Sequence, residues 1–391
     1  MKLGNRVAKS GNVVHVWGMA HLNFHPVLAG VALAALVCSP ALGDFDPLSG
    51  IDFVRVGAVG NAPWAGDGTP GDRAIGRGGV GYEYSIGKYE VTSGQWAEFF
   101  TAVQNCPDGP VPFVSWPSIT GGTAYPMMPT GGITWRTAAI FTNWLNNSKD
   151  NHLASFMNGA YDVGTFGYSG TTFTDQLAHN PSARYWIPTW DEWLKASHYD
   201  PNKSGPGTGG WWKYSTMSDT APVYGPPGVL VNGVLAQANA QWTSTTFPGQ
   251  NPFAVPLGAY TLSNAFGLYD VAGGTSEWTE EVGFAMGLYP YARFLDGSAR
   301  AFSYAESSDS IGTNGGGDFP SSAFSQYGFR VASSVPVPAT SVAVGLGLLL
   351  FNVRKRPKIG GCDEAWNRCR PRAHGADDGD RAGTERHQGR S

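Results

Sequence analysis

The sequence predicts a mixed domain of short strands, a few helices and much irregular backbone, and three observations carry that expectation. Glycine (54) and proline (27) are frequent in 391 residues, so turns punctuate the chain often. Residues 52–57 and 81–91 alternate apolar and polar side chains, the period of a half-buried strand. Thr92–Gln95 and Thr189–Glu192 each have the spacing of a helix capping box and lead into an apolar stripe. A hydrophobic content of 42% is enough for a core, and a net charge of −4 gives no footprint for nucleic acid.

In chain order, residues 1–43 read as a secretory signal. Lys2, Arg6 and Lys9 precede an apolar run at 26–37, and Ala41-Leu42-Gly43 supplies small residues for cleavage before Asp44. Met19 offers a second start. After the two predicted strands, Thr92 caps a helix whose Trp96, Phe99, Phe100 and Val103 face the core. Residues 106–132 form a Pro/Gly-rich loop. A second helix is expected over 134–146 with Trp135, Ala138, Thr142 and Leu145 on its buried face, while Trp144 packs against loops. Residues 147–183 are polar and irregular.

Thr189 opens a third helix, with Asp191 and Glu192 suited to capping and to the positive end of the helix dipole rather than to a catalytic pair. The loop 201–212 is glycine-rich but lacks a phosphate-binding pattern. Val229–Leu235 reads as a hairpin turning at Asn232-Gly233, a type I′ signal. Residues 264–278 set small residues between Asp270 and Glu277 and aromatics at both ends, which predicts a buried turn aiming polar groups inward. A surface loop over 299–327 and a last strand from Gly328 complete the domain. The many tryptophans are expected in the core. Cys106 alone lies in the domain, so no internal disulfide framework exists.

Six short segments, in order, resemble the formylglycine-generating (sulfatase-modifying factor) family. They are Tyr84–Thr92, Ile133-Thr-Trp135, Ile187–Trp193, Asn264–Thr279, Asp296-Gly-Ser298 and Gly328-Phe-Arg330, and they span roughly residues 50–333. The resemblance implies one compact α+β domain related to C-type lectins, covering 44–333. The family's enzymes oxidise a substrate cysteine with a cysteine pair near the end of the domain. The matching stretch, Ser298 to Gly328, has no cysteine, and serine or glutamate cannot replace a soft thiolate. The iron-dependent relatives use a histidine cluster, but His152, His179 and His198 lack such a spacing. No catalytic residue is therefore assigned.

What the resemblance still implies is structural calcium. Its ligand positions fall on the side chains of Asp270 and Glu277 and the carbonyls of Gly273 and Thr275. A second site would use Asn239 and the Ala240 carbonyl, but no acid stands near 249–251 to complete it. The alternative is that Asp270 caps a turn and Glu277 pairs with Arg293 or Arg300.

Beyond Ser333 the character changes. Val335-Pro-Val-Pro-Ala-Thr340, an apolar run to Phe351 and Arg354-Lys-Arg356 resemble a PEP-CTERM sorting signal over 334–357. Val337 stands where such signals usually carry Glu. That resemblance implies an exosortase-type partner and a membrane anchor. The charged remainder, 358–391, has the composition of a disordered tail. The functional expectation is an exported, envelope-anchored binding or structural module for a peptide, protein or glycan. The alternative is an oxidoreductase of the same family with divergent chemistry.

Overall fold

The computed structural model describes residues 44–114, 125–285, 289–297, 309–313 and 315–334, all within the first of the chain's two units, 1–338. The expected signal (1–43), the sorting signal from 335 onward, the tail (358–391) and Ser298 to Ser308 lie outside the described residues.

The chain opens with strands β1 (Asp44–Asp46), β2 (Ile51–Val56) and β3 (Tyr84–Gly87), then helix α1 (Ser93–Gln104). Helices α2 (Trp135–Asn146) and α3 (Leu153–Met157) follow, then strands β4 (Tyr168–Ser169), β5 (Thr172–Phe173) and β6 (Tyr185–Trp186). Helix α4 (Trp190–His198) leads into β7 (Tyr199–Asp200), β8 (Gly210–Trp211), β9 (Leu230–Val231) and β10 (Val234–Leu235). The long hairpin β11 (Ser276–Ala285) and β12 (Tyr289–Asp296) precedes β13 (Gly316–Asp318), β14 (Tyr327–Gly328) and β15 (Ala332–Ser333).

Two sheets organise these pieces. One has the order β1-β2-β3-β15-β6 and the other β13-β12-β11-β14. The last segment of the domain serves both. Tyr327-Gly328 runs parallel to Ser276-Glu277, and five residues later Ala332 pairs with both Ile86 and Trp186. The single closing strand expected from Gly328 is thus two strands, because Phe329–Val331 cross from one sheet to the other.

Both capping boxes form. Thr92 accepts from the Gln95 amide and the Gln95 side chain accepts from the Thr92 amide; Thr189 and Glu192 do the same at α4. α2 departs from expectation because every residue from Trp135 to Leu145 is buried, so it has no solvent face. Trp144 consequently packs on Phe99 and Phe141 in the core rather than on loops. Trp96 stacks on Phe141 at 5.8 Å, and Phe329 of the crossing segment meets the same ring at 5.5 Å. β3 is shorter than the 81–91 alternation because a side chain at Gly87 would meet the Tyr89 carbonyl at 2.8 Å, and the backbone turns there. Residues 147–183 hold α3 and the β4–β5 hairpin and so are less irregular than expected. The 229–235 hairpin forms with Asn232 at φ 51° and Gly233 at φ 84°, the left-handed pair a type I′ turn requires.

Candidate functional site

The turn at 264–278 is buried and clamped from three sides. Asn264 begins it. Its Oδ1 accepts from the amides of Phe266 (3.1 Å) and Leu268 (2.9 Å), and its Nδ2 donates to the Ala196 and Ser197 carbonyls at the end of α4. The glycine pair is required sterically. Gly273 has φ 107°, and a side chain there would come within 2.7 Å of the Asn239 backbone. Gly274 has φ 75°, and a side chain would strike the Glu90 carboxylate at 2.3 Å. That carboxylate accepts from the Thr275 amide at 3.0 Å, so Glu90 caps the turn from the connection between β3 and α1.

Glu277, two residues on, is fully buried on β11. Its Oε1 and Oε2 accept from Arg330 Nε at 2.8 and 3.0 Å, and Oε2 also accepts from Trp193 Nε1 at 2.7 Å. Arg330 is fully buried too, and it donates further to the carbonyls of Gly87, Lys88 and Tyr269. Desolvation pushes the Glu277 carboxyl up against the pull of Arg330. Asp296 is the register partner of Glu277 across the hairpin, and its carboxylate accepts from Trp190 Nε1 and from the Gly297 amide. Burial pushes Asp296 up to about 7 despite those donors, and the Glu277 charge adds to the rise. Asp270 sits at φ 57° and accepts from the Gly258 amide at 2.6 Å. Desolvation raises it to about 6; the Gly258 bond and Arg330 pull it down, and Glu277 pushes it up. Glu277 and Asp270 therefore both feel the Arg330 guanidinium, while Asp296 is held up by burial and by the Glu277 charge.

The four residues expected at the first calcium site lie in this one turn, and Asn239, expected at the second, is bridged to it. Asn239 bridges to Gly273 and donates to the Pro252 carbonyl at 3.0 Å, leaving its Oδ1 without a hydrogen-bond partner. As arranged, Glu277 does not offer its oxygens to a calcium ion. Calcium needs six to eight oxygens turned toward one point. Both Glu277 oxygens face N–H donors, and Arg330 already supplies the positive charge between the acids. Among the described residues, no group of three or more His, Cys, Asp or Glu is placed to hold a metal. The pairing expected of Glu277 with Arg293 is also replaced. Arg293 lies 3.6 Å from the Trp135 ring centre and donates to the carbonyls of Gln176, Leu177 and Glu280. Arg300 lies outside the described residues.

The other candidates have separate settings. His152 bonds Asp108, and His179 bonds Glu280 and stacks on Trp186. His198 is buried with neither ring nitrogen hydrogen-bonded, and burial lowers it to about 4. Asp191 bonds Arg77 and the Gly78 amide, while Glu192 completes the cap and receives Trp186 Nε1 and Tyr82 Oη. Cys106 is a free thiol, half-buried against the core. Sequence reasoning missed Glu90, Trp193, Asp296 and Arg330 as parts of this site. Each stood inside a quoted motif, but only the fold shows that they meet.

No curated protein matches the chain. Among solved structures it is similar to Treponema denticola variable protein 1, at 17% identity over 72% of this chain and 95% of that one (TM-score 0.43). It is also similar to CarF, at 18% over 73% and 99% (TM-score 0.41). A third is PvdO from Pseudomonas aeruginosa, at 17% over 76% and 99% (TM-score 0.45). The family described as the sulfatase-modifying factor enzyme 1-like domain matches residues 79–335, about two thirds of the sequence, and the chain belongs to that family.

Proposed function

We propose that this chain is an exported, envelope-anchored member of the family that acts as a binding or structural module without cysteine oxidation. The observation that carries the reading is the absence of any cysteine from Ser298 to Gly328, where the family's enzymes place their redox pair. Cys106, on the loop after α1, is a single thiol and cannot form such a pair. The polar groups of the central turn support the same reading. Glu90, Glu277, Asp296 and Arg330 are committed to one another, to indoles and to backbone, which suits a structural keystone. Export and anchoring rest on the signal-like 1–43 and the sorting-signal-like 334–357, with an exosortase-type enzyme as the processing partner. Among the described residues no helix is long and apolar enough to cross a membrane.

The test is direct. The purified full-length chain is incubated with a cysteine-bearing sulfatase peptide, with and without copper, and the peptide is weighed by mass spectrometry. The thiol is expected to survive. Conversion to an aldehyde would overturn the reading. Fractionation should place the chain in the envelope; recovery from the cytosol with residues 1–43 still attached would refute export.

A further inference from the structure

A second site lies on the far side of Glu90 from the central turn. A cavity of about 270 Å³ opens between the β1–β2 hairpin and the segment 126–127. Phe45, Ile51, Tyr89, Val91, Pro126 and Met127 give it apolar walls. Its rim is exposed: Phe45 is 62% and Met127 41% accessible. Large exposed apolar groups around a concavity mark a place where something binds.

Asp52 sets the chemistry. It is the register partner of Phe45, so the ring and the carboxylate stand side by side on one face of the hairpin. Asp52 is half-buried in the wall, yet among the described residues its carboxylate has no hydrogen-bond or ion-pair partner. Among the described residues no Lys, Arg or His lines the cavity, and Lys149, whose Nζ stands beside Gly50, is paired with Glu98 at 2.7 Å. Lys88 is nearby, but its Nζ is held over the rings of Tyr89 and Tyr269, at 5.4 and 5.2 Å, and makes no ion pair with Asp52. The other lining acid, Glu90, is turned to the Thr275 amide. A carboxylate next to aromatic and thioether walls, with no internal cation, is complementary to a positive charge on an apolar stem.

We propose that this cavity binds a protonated primary amine carried on an alkyl chain, the chemistry of a lysine side chain or of a free alkylamine. The stem lies against Phe45, Tyr89 and Met127, and the ammonium donates to Asp52. The inference does not depend on the loss of cysteine chemistry, since none of these residues belongs to the central turn.

Calorimetric titration of the full-length chain tests it with three probes: n-hexylammonium, n-hexanol and Nα-acetyl-lysine methylamide. Hexylammonium is expected to bind saturably and roughly tenfold or more tightly than hexanol, the factor one modest charge contact supplies. Its affinity should fall with added salt while that of hexanol does not. Asp52→Asn should remove the preference for the cation with the melting temperature unchanged. Phe45→Ala should weaken both probes by opening the wall. Tighter binding of the lysine derivative than of hexylammonium names a polypeptide as the source, and the reverse names a free amine. Equal binding of hexanol and hexylammonium, a cation preference that survives Asp52→Asn, or no saturable binding would each overturn the proposal.

Discussion

Arg330 is the residue on which the buried centre depends. It faces Glu277 with both partners fully excluded from water, and its remaining donors tie together Gly87, Lys88 and Tyr269. Removing one member of such a pair strands a buried charge, a loss of about 3–5 kcal/mol. Arg330→Met is therefore expected to destabilise the domain by that amount in denaturant unfolding. Adding Glu277→Leu to it should restore part of the loss, because two apolar groups leave no charge behind. A double variant as unstable as Arg330→Met alone would mean that the arginine acts through its carbonyl contacts and not through Glu277. The same geometry bears on calcium. With the guanidinium already between the acids, a chelator should leave the melting temperature unchanged. Chelation that lowers it, together with one equivalent of calcium by elemental analysis, would show that the cation displaces Arg330 from Glu277.

At the scale of elements, the β11–β12 hairpin sets two acids against each other, and its behaviour with pH follows from that register. Asp296 titrates near 7 in the folded state against an ordinary value of 3.8. Between those values the folded chain holds a proton that the unfolded chain has lost, so this group's contribution to stability falls as pH rises from about 4 to about 7. Asp270 acts in the same sense up to about 6. His179, raised by Glu280, also loses stabilisation as pH rises above its ordinary range, so the comparison must isolate Asp296. Asp296→Asn keeps an acceptor for Trp190 and cannot ionise. Its melting temperature relative to the parent should climb from pH 5 to about 7 and level off above that; parallel curves would exclude a proton on Asp296. The elements most legible in the sequence were those set by local chemistry. Thr92/Gln95 and Thr189/Glu192 cap their helices, and Asn232-Gly233 turns its hairpin, because each acts within four residues. β11 and β12 were not legible. Their alternation is broken by register shifts between Trp278 and Val282 and again after Gly283, and Glu277, Glu280 and Arg293 are buried charges that mimic solvent-facing positions. The acid cluster was half legible: Asp270 and Glu277 share one motif, while Glu90, Asp296 and Arg330 reach it only through tertiary packing.

Across the whole domain, the order of the strands makes the last residues indispensable. Residues 327–333 pair first with β11, then cross with Phe329 and Arg330 in the core, and end between β3 and β6. The sheet that begins at Asp44 is thus completed only by the segment that ends at Ser333, a pairing nearly the full length of the domain apart. Long-range closure of this kind is slow and leaves the outer edge of β3, and β6 beyond it, without their partner strand until the end. The Ser334 amide still donates to the Arg184 carbonyl, so the domain's bonding reaches that residue. Deleting 335–391 is therefore expected to leave the melting temperature of the remaining chain within a degree or two of the parent, while releasing it from the envelope into the soluble fraction. Deleting from 327 onward should instead abolish cooperative unfolding, because Arg330 and both closing strands are lost together. A chain ending at 326 that still melts in one sharp transition would show that the two sheets assemble without their shared segment. A chain ending at 334 that stays in the envelope would place the anchor elsewhere in the sequence.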